Sequence, residues 1–162
     1  MIASSTKKPS GRLQQELRQT KPFRSLHAEA FLNVVRTADQ LQHGLHLRLK
    51  PYGMTETQYN SLRILRGAGD PGLTCSEIAD RLVGHHPDIT RLLNRMERQG
   101  IVRRSRDTKD RSTVITRITR SGLDRLKELD EVVATTVTAL LDELSENELR
   151  KMIALLERAR SC

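Results

Sequence analysis

Residues 87–102 read PDITRLLNRMERQGIV, a pattern that predicts an amphipathic helix with a basic outer surface. Apolar side chains recur at positions i, i+3, i+4 and i+7, which is the spacing of one helix face. They are Ile89, Leu92, Leu93 and Met96. The opposite face is polar and largely basic. It carries Asp88, Arg91, Asn94, Arg95 and Arg98. Pro87 suits the first position inside the helix because it lacks an N–H, and Gly100 suits the end.

A short β-hairpin is predicted directly after this helix. Residues 101–106 and 112–119 have strand character, and the polar turn Asp-Thr-Lys-Asp at residues 107–110 joins them. Between residues 114 and 119 the side chains alternate in the period of two that puts neighbours on opposite faces of a strand. No other stretch of the sequence predicts β structure.

Helical patterns precede the amphipathic helix. Residues 25–50 carry an apolar residue every three or four positions until Pro51 interrupts them, which predicts a long first helix. Two capping-box patterns, S/T-x-x-E/Q, begin at residues 55 and 74 and predict the starts of two shorter helices. We expect the helix that begins at residue 74 to end at Gly84.

Two more helices are predicted after the hairpin, one from residue 121 and one from a capping box at Ser145. Together with the first helix they have more apolar surface than a small lobe can cover, which favours a homodimer. The chain is therefore expected to have four segments. They are a flexible N-terminal arm (1–24), a dimerisation helix with its link (25–54), a winged helix-turn-helix lobe (55–120) and C-terminal dimerisation helices (121–162).

The positive charge of the chain is concentrated in one region. The net charge is +8, and residues 85–120 hold ten basic and four acidic residues, a net +6. Residues 121–162 hold six basic and nine acidic residues, a net −3. Such a concentrated arginine-rich segment is typical of a protein that binds a polyanion.

The composition also favours a helical protein of the cytoplasm. There is no tryptophan, and two Phe and two Tyr are the only aromatic residues, so the core must be built from aliphatic side chains. No run approaches the ~20 apolar residues of a membrane span, so we expect no membrane association. The two cysteines, Cys75 and Cys162, are expected to be reduced.

A short helix, a glycine-rich turn, a helix with a basic face and a basic hairpin can grip two adjacent grooves of duplex DNA. This pattern resembles the MarR (multiple antibiotic resistance regulator) family over residues 25–159. The resemblance is strongest at residues 87–102, in the Asp-x-x-Asp-Arg pattern at 107–111 and in the Ile-Thr-Arg-Ser-Gly run at 118–122. It implies a mainly α fold with a small β-hairpin wing, namely a winged helix-turn-helix with long N- and C-terminal dimerisation helices. It further implies a homodimeric, sequence-specific transcriptional regulator, most simply a repressor, on a pseudopalindromic DNA operator.

The resemblance also implies roles for individual residues. Arg111 is the wing arginine that enters the minor groove, and Asp107 or Asp110 would orient it through a charge-assisted hydrogen bond. The alternative is that Asp110 and Arg111 only close the turn. Arg91 and Arg95 lie one turn apart on the outer helix face and are candidates for base-edge or phosphate contacts.

Other candidates lie near helix N-termini, where free N–H groups and the helix dipole favour a phosphate. For His85 a loop or capping role is an equal alternative, and for Ser76 capping is the simpler interpretation. The full set of predicted DNA-contacting residues is Ser76, His85, Pro87, Asp88, Thr90, Arg91, Asn94, Arg95, Arg104, Arg106, Asp107, Lys109, Asp110 and Arg111.

Other classes of function have less support in the sequence. No nucleophile with a His and an acid, no glycine-rich phosphate loop and no zinc-ligand spacing is present, so we expect no enzyme and no cofactor. His43 and His46 could share a helix face with Asp39 as metal ligands. Cys75, beside a predicted helix cap, could be a redox sensor. A small-molecule effector is left open, because the few aromatic residues favour constitutive DNA binding whereas the family resemblance favours a ligand.

Overall fold

The computed structural model describes residues 11–84, 88–108 and 110–161. Their helices and strands are α1 (Arg12–Glu16), α2 (Leu26–Leu49), α3 (Glu56–Ala68), α4 (Cys75–Arg81), α5 (Ile89–Arg98), β1 (Val102–Arg106), β2 (Val114–Ile118), α6 (Arg120–Leu140) and α7 (Glu146–Arg160). A 3-10 turn, Lys50–Tyr52, follows α2. The chain forms two compact units, Met1–Gln42 and His43–Cys162. Across the described residues, no helix is both long and apolar enough to span a membrane.

The first unit contains a short helix in the stretch expected to be an unstructured arm. In α1, Leu13 is almost completely buried, and Glu16 lies within ion-pair distance of both Arg12 and Arg36. A single buried leucine and two carboxylate contacts are too sparse a pattern to read from sequence. Of the predicted arm, residues 1–10 lie outside the described part of the chain.

Three helices of the second unit begin at the predicted capping boxes. In α3 the Gln58 N–H donates to Thr55 Oγ1 at 3.2 Å, and Gln58 Oε1 accepts from the Thr55 N–H at 3.0 Å. The same reciprocal pair links Thr74 and Glu77 at the start of α4. At the start of α7, Glu148 accepts from the Ser145 N–H. The helix starts predicted at residues 55, 74 and 145 are thus confirmed.

Helix α4 ends at Arg81, three residues before the predicted stop at Gly84. Leu82 has an extended backbone with ψ 145°, so the chain leaves the helix before the glycine is reached. Leu82 packs against the core of the unit, and this tertiary contact overrides the local stop signal.

The hairpin is antiparallel, with Val102 opposite Ile118 and Arg106 opposite Val114. Both strands are shorter than predicted, because neighbouring residues are used elsewhere. Thr119 accepts from the Gly122 N–H and caps α6, while residues 112 and 113 belong to the turn. Leu73, which precedes the N-cap of α4, exchanges two backbone hydrogen bonds with Thr116 and so extends the sheet by one bridge.

The aliphatic core of the second unit reaches beyond the predicted lobe. Fully buried side chains come from α3, α4, α5 and the first half of α6. Leu126 and Leu129 of α6 lie in the same cluster as Leu62 and Leu65 of α3. The first half of α6 therefore belongs to the packed lobe, across the boundary expected after residue 120.

Candidate nucleic-acid interface

Helix α5 begins at Ile89, two residues later than predicted. Asp88 is its N-cap, and the Asp88 carboxylate accepts the Arg91 N–H at 3.2 Å. Because this side chain satisfies a free N–H of the first turn, Ile89 becomes the first helical residue. The prediction that Pro87 occupies that position is therefore wrong. His85 and Pro87 lie outside the described residues.

The two faces of α5 separate as the apolar spacing requires. Leu93 and Met96 are completely buried, which anchors the helix on the core. Arg91, Arg95 and Arg98 are exposed and line one shallow surface groove with Asp88 and Leu92. Arg91 Nε lies 3.3 Å from Asp88 Oδ2, but the Arg91 side chain is 86% exposed, so this ion pair is weak. The guanidinium groups of α5 thus share one solvent-facing surface.

Asn94 differs from its predicted solvent-facing position. It is half-buried, and its Oδ1 accepts a hydrogen bond from Arg104 Nη1 of β1. The second guanidinium nitrogen of Arg104 donates to Cys75 Sγ at 3.4 Å, and the Arg104 backbone N–H donates to Glu97 Oε1 at 2.8 Å. The polar side of α5 is therefore divided between an open arginine surface and a contact with the wing.

The wing turn is closed by Asp110. Its carboxylate accepts hydrogen bonds from the Ser112 Oγ and N–H and from Thr113 Oγ1, at 2.6, 2.9 and 2.7 Å. These bonds, with the Ser112 hydroxyl foremost, lower the pKa of Asp110. The structure thus has Asp110 in the alternative role of closing the turn, and among the described residues no hydrogen bond or ion pair joins it to Arg111. Arg111 is exposed, and among the described residues it has no hydrogen-bond or ion-pair partner.

The remaining predicted residues lie on the edges of these elements. Ser76 is exposed in the first turn of α4, and Thr90 is exposed in the first turn of α5. Arg106 is exposed at the end of β1, where the turn begins with Asp107. Lys109 lies outside the described residues.

Three polar contacts that fix α3 are not indicated by the sequence. Buried Gln58 uses its amide nitrogen to reach Gln99 Oε1, at 3.1 Å, and so ties the start of α3 to the end of α5. Asp130 of α6 accepts from Tyr59 at 3.0 Å and from Arg66 at 2.5 Å. Although partial burial alone would raise the pKa of Asp130, these two donors outweigh it and lower the pKa. The capping box identifies Gln58 as a partner of Thr55, but no local pattern indicates its contact with Gln99.

Two residues of the metal and thiol hypotheses, His46 and Cys75, have polar partners in the structure. His46 Nδ1 lies 3.3 Å from Glu56 Oε1, a carboxylate outside the predicted set of His43 and Asp39. Within residues 11–84, 88–108 and 110–161, no three His, Cys, Asp or Glu side chains come together in a metal-binding arrangement. Cys75 is half-buried and accepts the hydrogen bond from Arg104.

Comparison with known proteins shows which family has this arrangement of helices and hairpin. The sequence profile of the MarR family matches residues 54–114, from the start of α3 to the start of β2. A MarR transcription factor of known structure from Planctomyces limnophilus is 38% identical, with coverage of 83% of this chain and 98% of that one and a TM-score of 0.65. The chain belongs to the MarR family.

Two other comparisons agree with this assignment. The transcriptional repressor YetL of Bacillus subtilis is 25% identical over 128 residues, which cover 79% of this chain and 77% of YetL. A mutant MarR from E. coli, crystallised with operator DNA, has a TM-score of 0.74 at 22% identity and covers 83% of this chain and 98% of its own. The predicted fold is thus confirmed, with α4 and α5 as the helix-turn-helix and the β1–β2 hairpin as the wing. The protein is a DNA-binding transcriptional regulator of the MarR family.

Proposed function

We propose that this MarR-family regulator binds a pseudopalindromic operator as a homodimer and represses transcription in the cytoplasm. One observation carries the proposal. The second unit presents Arg91 and Arg95 together on the outer face of α5, and it leaves Arg111 exposed at the wing without a partner among the described residues. An arginine with a structural role usually has a carboxylate partner. An arginine that is exposed and weakly paired is available to bind a polyanion.

The dimensions of the two elements suit a duplex. A single α-helix fits the major groove, where an arginine can donate two hydrogen bonds to guanine O6 and N7. We assign that role to α5, with Arg91 and Arg95 as the base-edge or phosphate contacts. A hairpin with an arginine near its tip can reach the adjacent minor groove, and we assign that role to Arg111. The phosphate contacts proposed around these residues come from Ser76, His85, Thr90, Arg106 and Lys109. Pro87, Asp88, Asp107 and Asp110 adjoin them in sequence, but a carboxylate repels phosphate. We therefore assign Asp88 to the helix cap and Asp110 to the turn, and we leave Asp107 to orient Arg111.

Exposed apolar side chains support the homodimer. On α2, Phe31 is 66% exposed, and Leu26, Val34 and Val35 are also exposed. No residue of α7 is buried, and Ile153 and Leu155 are more than half exposed. Such surfaces on a protein of this size are typical of an interface with a second copy. A twofold dimer would place its recognition helices about one turn of DNA apart, which explains the choice of a pseudopalindrome.

Repression and its release form the regulatory part of the proposal. The repressor named YetL is a relative, and a dimer bound over a promoter blocks access to it. We place a small-molecule effector in the cavity of about 890 Å³ between the C-terminal end of α2 and α6. Gly44, Leu47, Arg48, Glu131, Thr135 and Leu140 are among its lining residues. The cavity adjoins helices that we assign to dimerisation, so a ligand there could change the spacing of the two recognition helices.

Selection of duplexes from a randomised DNA pool tests this function. We expect the enriched sequences to share an inverted repeat whose half-sites lie about 10 bp apart, centre to centre. Binding to them should weaken with salt, with a slope of about 0.9 in log affinity per phosphate contact. Equal binding to all duplexes without enrichment would contradict an operator-specific regulator.

Dimerisation is tested by Phe31→Glu, which puts a charge on the exposed apolar face of α2. We expect the dimer dissociation constant to rise about tenfold, since an unpaired charge is costly to bury at an interface. Val83→Glu is the matched control, because Val83 is 79% exposed but lies outside α2 and α7. Sedimentation at several protein concentrations measures both. If the two variants dissociate like the unchanged protein, α2 is not part of the interface.

A further inference from the structure

Arg104 differs from the other arginines of the wing in where it lies. The alternation of β1 places it on the same face as Val102, which is buried in the core. It is half-buried, whereas Arg103 and Arg106 are exposed. Its Nε atom is buried and has no hydrogen-bond partner among the described residues. The side chain is thus directed into the molecule, although it carries a full charge.

The donors of Arg104 connect three elements. One guanidinium nitrogen donates to Asn94 of α5, and the other donates to Cys75 of α4. The backbone N–H of the same residue donates to Glu97 of α5. A planar guanidinium can hold two acceptors at once in fixed directions, which a lysine ammonium on its flexible stem cannot reproduce. Arg104 therefore joins the wing to both helices of the helix-turn-helix.

None of the described acids forms an ion pair with this guanidinium. A half-buried charge held by two neutral acceptors is costly, and so it is not explained by stability alone. The arrangement does fix the position of the wing relative to α5. This position matters because α5 and the wing must enter adjacent grooves at the same time. Hydrogen bonds to base edges, which depend on exact distance and direction, weaken when one element is displaced by about an ångström from the other, whereas the less directional attraction to phosphates is kept.

We propose that Arg104 is a positioning residue that fixes the wing against the recognition helix, acting through Asn94 and Cys75. It is then not one of the residues that bind phosphate. This inference rests on the proposed function, since it assigns a separate task to one arginine of the same surface. It also gives Asn94 a role in support of the wing.

The test compares Arg104→Lys, Arg104→Met and the control Arg106→Met on a duplex selected by the unchanged protein. Both Arg104 variants are expected to bind about tenfold more weakly, with a salt slope equal to that of the unchanged protein. Arg106→Met, two residues along the same strand, should lower the slope by about 0.9 if it removes a phosphate contact. Recovery of binding by Arg104→Lys, or a lower slope in Arg104→Met, would overturn the proposal.

Coupling to Asn94 provides a second measurement. In an Asn94→Ala background, Arg104→Lys should cause a smaller further loss of affinity than in the unchanged protein, because one of the two side-chain links of Arg104 is already broken. Independent contacts of the two residues with DNA would instead give additive losses. Additivity would therefore count against a positioning role.

Hydrogen exchange without DNA separates this inference from the proposed function. Amides of β1 and β2 should exchange faster in both Arg104 variants than in the unchanged protein or Arg106→Met, while core amides of α3 keep their protection. Unchanged exchange in the hairpin would overturn the positioning role. If the unchanged protein enriches no duplex, the operator proposal fails, but the exchange experiment still decides what Arg104 does.

Discussion

Replacing Arg111 with alanine is expected to weaken binding to a selected duplex by about 1–3 kcal/mol. Arg111 is exposed beside a turn that Asp110 already closes, so its removal should leave the hairpin intact. Among the described residues its guanidinium has no hydrogen-bond or ion-pair partner. The substitution should therefore reduce the affinity for DNA without reducing the stability of the free protein. A narrow A·T-rich minor groove attracts arginine most strongly, so the preference for A·T pairs beside each half-site should also relax.

Arg150→Ala is the matched control for Arg111→Ala. It removes the same charge from α7, where Arg150 pairs with Glu146 at the surface. Titration of both variants against the selected duplex, at several salt concentrations, separates the loss of one contact from the loss of net charge. Equal weakening by the two variants would show that Arg111 acts only through the overall charge of the protein.

Features set by residues close in sequence were predicted well. The capping boxes join residues three apart, and the buried face of α5 follows from apolar positions within eight residues. The start of α5 was predicted wrongly because two local signals compete there. Proline suits the first helical position, but an aspartate that follows it can cap the helix instead, and Asp88 does so.

Features that depend on distant residues could not be predicted. The Arg104–Cys75 contact joins residues 29 positions apart, and the Gln58–Gln99 contact joins residues 41 apart. In sequence, Arg104 is one of several arginines in a basic stretch, and only the fold separates it from exposed Arg106. The resemblance implies that Arg111 lies at the hairpin turn, and the structure has it there, but the carboxylate of neighbouring Asp110 is used by the turn.

Replacing Gly122 with alanine is expected to destabilise the fold by about 2–3 kcal/mol, even though alanine is the better helix former. Gly122 lies in the first turn of α6, and an added Cβ would overlap the Ile101 carbonyl oxygen and lie 2.8 Å from Ile118 Cγ1. The carbonyl cannot move aside freely, because it accepts the Thr119 N–H at 3.2 Å. The glycine of the run at 118–122 is thus required by the close approach of α6 to Ile101, which lies between α5 and β1.

Gly67→Ala is the matched control, since Gly67 lies inside α3 and a Cβ there would meet nothing within 4 Å. It should stabilise the protein by up to about 1 kcal/mol through helix propensity alone. Thermal unfolding at a fixed protomer concentration compares the two, and a loss of 2–3 kcal/mol corresponds to a decrease in Tm of roughly 4–12 °C. If Gly122→Ala instead raised Tm like Gly67→Ala, then α6 could move away from Ile101 without cost. The β1–β2 hairpin, which joins Ile101 to α6, would then not be held in place by this contact.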